Sequence, residues 1–71
     1  MTKQQIAIVR DAAEQATVFV RGTDVLRVDL CEAEKFYCTD EKTEDEFGIW
    51  YEDVDVFQDY FMRLTRIPFG G

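Results

Sequence analysis

The sequence predicts a small α+β protein in which an N-terminal and a C-terminal helix pack on one face of a three-stranded antiparallel sheet. Apolar residues recur at helical spacing near both ends of the chain, whereas in between they alternate with polar residues as in strands. Turn-forming residues separate the alternating stretches. With 71 residues the chain is expected to form one domain, residues 1–71, in the order α-β-β-β-α.

The first helix is predicted from about Lys3 to Gln15. Thr2 and Gln5 match a T-x-x-Q capping box, in which each side chain bonds the other residue's backbone N–H group. Ile6, Val9 and further apolar residues then follow at helical spacing.

Three short strands are predicted next. "TVFVRG" is rich in β-branched residues and leads into the turn residues "GTD", which indicates a hairpin. "VLRVDLCE" alternates, with Leu26, Val28 and Leu30 expected on one face. "KFYCT" at residues 35–39 completes the meander. So small a sheet is marginal alone, so helices are expected to cover it.

The acidic window of residues 40–46 is predicted to be a solvated loop, because carboxylates are costly to desolvate. "FGIWYE" then allows a brief return to extended structure. The last element is predicted to be a helix that has Asp55 as its N-cap and ends near Pro68. Its apolar residues fall at i, i+3, i+4 and i+7, namely Phe57, Tyr60, Phe61 and Leu64.

Charge is unevenly distributed in this chain of net charge −7. Residues 40–59 hold nine acids and one lysine, a net of −8, whereas the rest holds six acids and seven bases, a net of +1. Such an anionic field repels nucleic acid and membrane surfaces and attracts basic protein surfaces. We therefore expect no direct binding to nucleic acid or to a membrane.

The sequence contains no catalytic or cofactor signature. It has no His, Ser or Asn, which removes the usual general base and hydroxyl nucleophile. Cys31 and Cys38 have no His partner and lie in predicted strands, so we interpret them as small buried apolar residues. We expect a protein that is not an enzyme and needs no cofactor.

A metal site is not predicted. The EF-hand loop requires oxygen ligands at positions 1, 3, 5 and 12 and Gly at position 6. A loop starting at Asp40 puts Lys42 at position 3, and one starting at Glu41 puts Glu46 where Gly is needed.

The diglycine of Gly70 and Gly71 is similar to the tail of ubiquitin-like modifiers and sulfur carriers, but those begin with a strand, whereas this chain is predicted to begin with a helix. We interpret the tail as a flexible end or as an artificial addition to the chain.

The opening "MTKQQIAIVR" lacks the apolar core of a signal peptide, and no apolar run approaches the roughly 18–20 residues that span a bilayer. A cytoplasmic location is therefore expected, in which both cysteines stay thiols.

Two interpretations of the acids remain open. They form either a solubilising face, with acids at the start of the last helix, or a surface that binds a partner. Phe47, Trp50 and Tyr51 lie among the acids, and aromatic residues beside charge often mark interface hot spots. Proteins that grip DNA expose rows of Lys and Arg, and a carboxylate array could occupy those rows.

The segment "FGIWYEDVDVFQDYFMRLTRI", about a third of the chain, resembles small acidic phage inhibitors, among them anti-CRISPR proteins and DNA mimics. In particular it looks like an acidic stretch with aromatic residues that leads into a terminal helix, in an anti-CRISPR protein that blocks the duplex-reading site of a CRISPR nuclease. The resemblance implies that carboxylates imitate phosphates, with Trp50 or Tyr51 at the rim. The carboxylates concerned are Glu44, Asp45, Glu46, Glu52, Asp53 and Asp55.

Together these observations predict a non-enzymatic inhibitor that binds the basic nucleic-acid-binding surface of a host defence nuclease complex, such as a CRISPR effector complex. It would act in the host cytosol if phage-encoded, as a monomer or homodimer. An antitoxin or small adaptor that binds another basic protein is the alternative. The predicted partner-binding residues are Asp40, Glu41, Glu44, Asp45, Glu46, Trp50, Tyr51, Glu52, Asp53, Asp55 and Asp59.

Overall fold

The structure, a computed structural model, describes residues 1–63 of the chain. This range contains one N-terminal α-helix and a five-stranded antiparallel sheet with the strand order β4-β3-β2-β1-β5. The elements are α1 (Lys3–Gln15), β1 (Val18–Arg21), β2 (Asp24–Cys31), β3 (Lys35–Asp40), β4 (Asp45–Trp50), a 3-10 turn (Tyr51–Asp53) and β5 (Tyr60–Met62). The predicted α+β class and N-terminal helix are confirmed, whereas the predictions of three strands and a C-terminal helix are wrong.

Helix α1 begins with the predicted capping box. The Thr2 hydroxyl accepts the Gln5 N–H group at 3.1 Å, and the Gln5 side-chain oxygen accepts the Thr2 N–H group at 2.9 Å. Two backbone donors at the helix start are thereby satisfied. Val9 and Ala13, four residues apart on one side of α1, are buried against the sheet.

The β1–β2 hairpin turns at Gly22, whose φ of 62° lies in the left-handed region that glycine adopts without strain. β2 then contains a bulge, because the register to β3 shifts between Val28 and Leu30. One extra residue reverses the facing of the residues that follow it. Leu30 was predicted on the same face as Leu26 and Val28, and the bulge instead leaves it 57% exposed.

The predicted acidic loop is shorter than residues 40–46. Asp40 ends β3 and Asp45 begins β4, and the two residues pair across the hairpin. Only residues 41–44 form the turn. The predicted return to extended structure is confirmed for Phe47 to Trp50, which belong to β4.

The predicted C-terminal helix is replaced by a tight turn and β5. The backbone of Asp59 bonds back to Asp55 and closes a single turn, after which Tyr60 to Met62 pair with β1. Phe61 faces the core, where its ring centroid lies 4.8 Å from that of Phe19. Tyr60 and Met62 are more exposed. Burial therefore alternates along β5, as expected for a strand, and pairing with β1 satisfies its backbone groups. Leu64, Arg66, Pro68 and the diglycine lie outside the described residues.

The core lies on one face of the sheet. Phe19, Phe36, Cys38 and Tyr51 are fully buried there. The chain leaves β4 at one edge of the sheet and rejoins it beside β1 at the other edge. Residues 51–59 make this crossing on the side of α1, since Tyr51 and Val54 share the core with the helix. We call this side the helix face and the opposite side the open face.

Candidate functional site

The predicted acids are concentrated in one hairpin. Residues 40–46, which we call the acidic hairpin, join β3 to β4 and carry five carboxylates and one lysine. Residues 41–46 are all exposed, and Asp40 is half-buried. Because the β1–β2 turn lies at the same end of the sheet, Asp24 adds a further carboxylate nearby.

The turn is fixed by local hydrogen bonds. The Asp40 carboxylate accepts the Lys42 N–H group at 2.9 Å. The backbone carbonyl oxygen of Asp40 accepts the Glu44 N–H group at 2.6 Å. The Thr43 hydroxyl accepts the Asp45 N–H group at 3.3 Å. Glu44 has a φ of 63°, the left-handed conformation that non-glycine residues rarely adopt. The carboxylates are therefore presented by a shaped turn.

The carboxylates of the acidic hairpin divide between the two faces of the sheet. Strand alternation places Asp45 on the helix face with Phe47 and Ile49, and Glu46 on the open face. On the open face Glu41, Glu44 and Glu46 line a shallow depression of about 390 Å³. The structure therefore forms an acidic rim around the end of the sheet, not a flat patch.

The open-face depression also contains a cation that the acids partly neutralise. Arg27 donates to Asp29 at 2.8 Å and lies 3.9 Å from Glu41. The Asp29 carboxylate also accepts the Thr39 hydroxyl, and this bond, with that from Arg27, lowers the pKa of Asp29. Asp29 raises the pKa of Arg27 in return, and the exposed Arg27 guanidinium offsets part of the negative charge in the depression.

The predicted aromatic contacts lie away from the acidic hairpin. Trp50 is at the opposite end of β4 from Asp45, about 17 Å away at the rise of an extended strand. It is 42% exposed, with the Lys35 ammonium 5.4 Å from its ring centroid. Tyr51 is fully buried and its hydroxyl donates to the Glu32 carbonyl at 2.7 Å. Tyr51 therefore builds the core and offers no contact surface.

The remaining predicted acids lie on the crossing segment. Glu52 and Asp53 are exposed in the 3-10 turn. Asp55 accepts the Phe57 N–H group at 2.9 Å and so shapes the turn before β5. Asp59 is buried, and its Oδ2 accepts Arg21 Nη2 at 3.2 Å and the Asp55 N–H group at 2.9 Å. Asp59 is neutralised inside the chain and does not join the acidic hairpin.

Phe47 is the aromatic residue closest in sequence to the acidic hairpin. The sequence places it among the acids, but the predicted partner-binding residues do not include it. It is 43% exposed, and it lines a groove of about 290 Å³ on the helix face together with Asp24 and Asp40. The sequence signal was its place two residues after Asp45, which puts both on one face of a strand.

The thiols are poor nucleophiles at neutral pH. Burial raises the pKa of Cys38 to about 11, and burial also raises the pKa of the half-buried Cys31. Since the thiolate is the reactive form, both groups stay protonated and inert near pH 7.

Within residues 1–63, no three Cys, Asp or Glu side chains converge in a way that could hold a metal ion. The single helix in that range is too short and too polar to cross a bilayer.

Comparisons of the chain with known protein families, with curated proteins and with solved structures returned no match. The functional argument therefore depends on the geometry and charge of the described residues.

Proposed function

We propose that this protein is a non-enzymatic inhibitor whose acidic hairpin occupies the basic nucleic-acid-binding surface of a host defence nuclease complex, such as a CRISPR effector complex. The observation that carries the proposal is the run of five carboxylates in seven residues on a hydrogen-bonded hairpin. The protein would act in the host cytoplasm.

Hairpin geometry supports phosphate mimicry by fixing the backbone that carries the acids. Successive residues of a strand face opposite sides of the sheet, so Asp45 and Glu46 present carboxylates to different faces. Asp45 and Glu46 begin β4, and Asp40 pairs with Asp45 across the ladder. The backbone hydrogen bonds of the hairpin therefore fix where each carboxylate leaves the chain, which reduces the ordering cost at the moment of binding.

The mechanism is competition and involves no chemistry. A basic groove that reads duplex DNA attracts the acidic hairpin by long-range charge, which favours rapid association at low salt. Once bound, the carboxylates pair with the Lys and Arg side chains that DNA needs. The exposed Phe47 beside the acids adds apolar contact area.

The test is competition with DNA. The protein is titrated by calorimetry into a purified CRISPR nuclease loaded with guide RNA, alone or saturated with target duplex. We expect the protein to bind the DNA-free complex, and we expect target duplex to abolish this binding. Undiminished binding to the DNA-saturated complex would contradict mimicry. The titration is repeated with nuclease complexes of several types. If the protein binds none of them in the absence of DNA, the proposal is contradicted.

A second candidate function is an antitoxin or small adaptor, which the exposure of Phe47 and Trp50 favours because aromatic side chains anchor protein interfaces. An adaptor would hold a basic partner whether or not DNA is present. Co-purification with and without added DNA separates the two candidates, since an adaptor keeps its partner and the inhibitor loses its partner to DNA.

A further inference from the structure

Strand β4 is an open edge of the sheet. It comes first in the order β4-β3-β2-β1-β5, and no strand within residues 1–63 pairs with its outer side. β5, the other edge, has only three residues, whereas β4 has six. An edge strand of this length presents backbone N–H and C=O groups to a further strand.

We propose that a second copy of this chain pairs with β4 in antiparallel orientation, centred on Gly48, to form a two-fold symmetric dimer with one continuous sheet. Antiparallel pairing keeps the acidic starts of the two β4 strands apart, whereas parallel pairing would place Asp45 and Glu46 beside their own copies. Like charges directly opposite one another are destabilising, which selects the antiparallel arrangement.

Register follows from the facing of the side chains. Residues opposite each other in a continuous sheet share a face, so Gly48 meets Gly48 and Glu46 meets Trp50 of the second copy. On the helix face the same register sets Phe47 opposite Ile49 and covers its exposed ring. A register centred on Phe47 would instead set the Asp45 carboxylate against Ile49.

Charge complementarity supports this register. Lys35 pairs with Trp50 across the β3–β4 ladder, and its ammonium lies 5.4 Å from the indole centroid. Glu46 of the second copy, placed beside Trp50, comes within reach of that ammonium. The contact occurs twice in a symmetric dimer. Within one copy Glu46 pairs with Thr39, four residues along β3 from Lys35, so this ion pair is available only between copies.

Gly48 permits close approach at the two-fold axis. The Tyr37 ring lies over Gly48, where an added Cβ would come within 3.2 Å of Tyr37 Cε1. The two rings would flank the axis on the open face and shield the central hydrogen bonds. The acidic hairpins would point to opposite ends of the dimer, with Glu46 withdrawn into the interface.

The dimer is expected to be weak. One six-residue edge is small beside the roughly 1,200 Å² that specific interfaces bury. Each copy also carries a net charge of −7, and the repulsion between the two copies weakens the dimer further.

Sedimentation equilibrium across a concentration series tests the proposal on the full chain. Lys35→Glu and Glu46→Lys should each raise the dimer dissociation constant about tenfold, because each breaks two ion pairs per dimer. The double variant re-forms both pairs with the charges exchanged and should restore the dissociation constant. Glu44→Lys is the matched control, with the same charge change in the turn. It should leave the dimer unchanged or stronger.

A chain that stays monomeric at every concentration would overturn the proposal. So would a dimer that both single variants leave intact, or a double variant no better than either single one. Hydrogen exchange gives a second measurement that does not depend on a variant. Backbone amides of β4 should gain protection as protein concentration rises, and protection that stays constant would contradict edge pairing.

Discussion

At the scale of single residues, Glu44 combines charge with an unfavourable backbone. Its φ of 63° costs a side-chain-bearing residue roughly 1–2 kcal/mol relative to glycine. A turn selected for stability alone would carry glycine there, as the β1–β2 turn does at Gly22. A carboxylate retained at this position is consistent with a role outside the fold.

Glu44→Gly should therefore stabilise the protein. We expect the free energy of unfolding to rise by about 0.5–1 kcal/mol, because the relief of backbone strain exceeds the added entropy of the unfolded chain. Denaturant unfolding followed by circular dichroism measures this.

Glu41→Gly is the control, since it removes the same charge from the same turn at a residue without positive φ. It should lower the free energy of unfolding by about 0.5–1 kcal/mol, mainly through chain entropy, since the contact with Arg27 that it also removes is exposed. Equal effects of the two variants would show that charge repulsion, not backbone strain, sets the stability of the turn.

At the scale of secondary structure elements, the crossing segment is held by one buried carboxylate. Asp59 Oδ2 accepts Arg21 Nε at 3.3 Å, Arg21 Nη2 at 3.2 Å and the Asp55 N–H group at 2.9 Å. Arg21 also donates to the Asp53 carbonyl at 3.4 Å. This network ties residues 53–59 to β1 and positions the chain to enter β5.

Asp59→Asn should weaken this tie. We expect a loss of about 1–3 kcal/mol in the free energy of unfolding, at the scale of a hydrogen bond to a charged group, because Arg21 is partly exposed and keeps some hydration. Hydrogen exchange should become faster in β5 and in residues 55–59.

Asp53→Asn is the matched control, because Asp53 has the same charge but an exposed side chain. It should change the free energy of unfolding by less than about 0.5 kcal/mol. A loss as large as that for Asp59→Asn would mean that general charge, not the Arg21 contact, stabilises the segment.

Elements governed by local signals were predictable from the sequence. The Thr2 and Gln5 capping box defined the start of α1, and alternation with turn residues located β1 to β3. β5 was not predictable in this way. The spacing of Phe57, Tyr60 and Phe61 also fits a helix, and only pairing with the distant β1 decides between helix and strand.

The site was predictable to a different extent. The cluster of acids could be read directly, since their proximity in sequence brings residues 40–46 together in one hairpin. Burial could not be predicted, because it depends on contacts between residues far apart in the chain. Tyr51 is buried in the core with its hydroxyl bonded to Glu32, and Asp59 is buried in an ion pair with Arg21. The bulge that exposes Leu30 likewise has no local signal.

At the scale of the whole molecule, acidity is concentrated at one end of the sheet, around the acidic hairpin and Asp24. Glu14, Glu32 and Glu34 lie elsewhere, at the end of α1 and in the β2–β3 turn. Long-range attraction to a basic partner depends on net charge, whereas tight binding depends on where the charges lie. The two contributions can be separated by variants with the same net charge.

The most direct measurement compares two triple variants for affinity to a DNA-free nuclease complex that binds the parent protein. One carries Lys at Glu41, Glu44 and Asp45, and the other carries Lys at the control set of Glu14, Glu32 and Glu34. We predict that the first loses at least about a hundredfold in affinity at physiological salt, while the second loses tenfold or less. Equal losses would show that net charge alone attracts the partner, and would contradict the assignment of binding to the acidic hairpin.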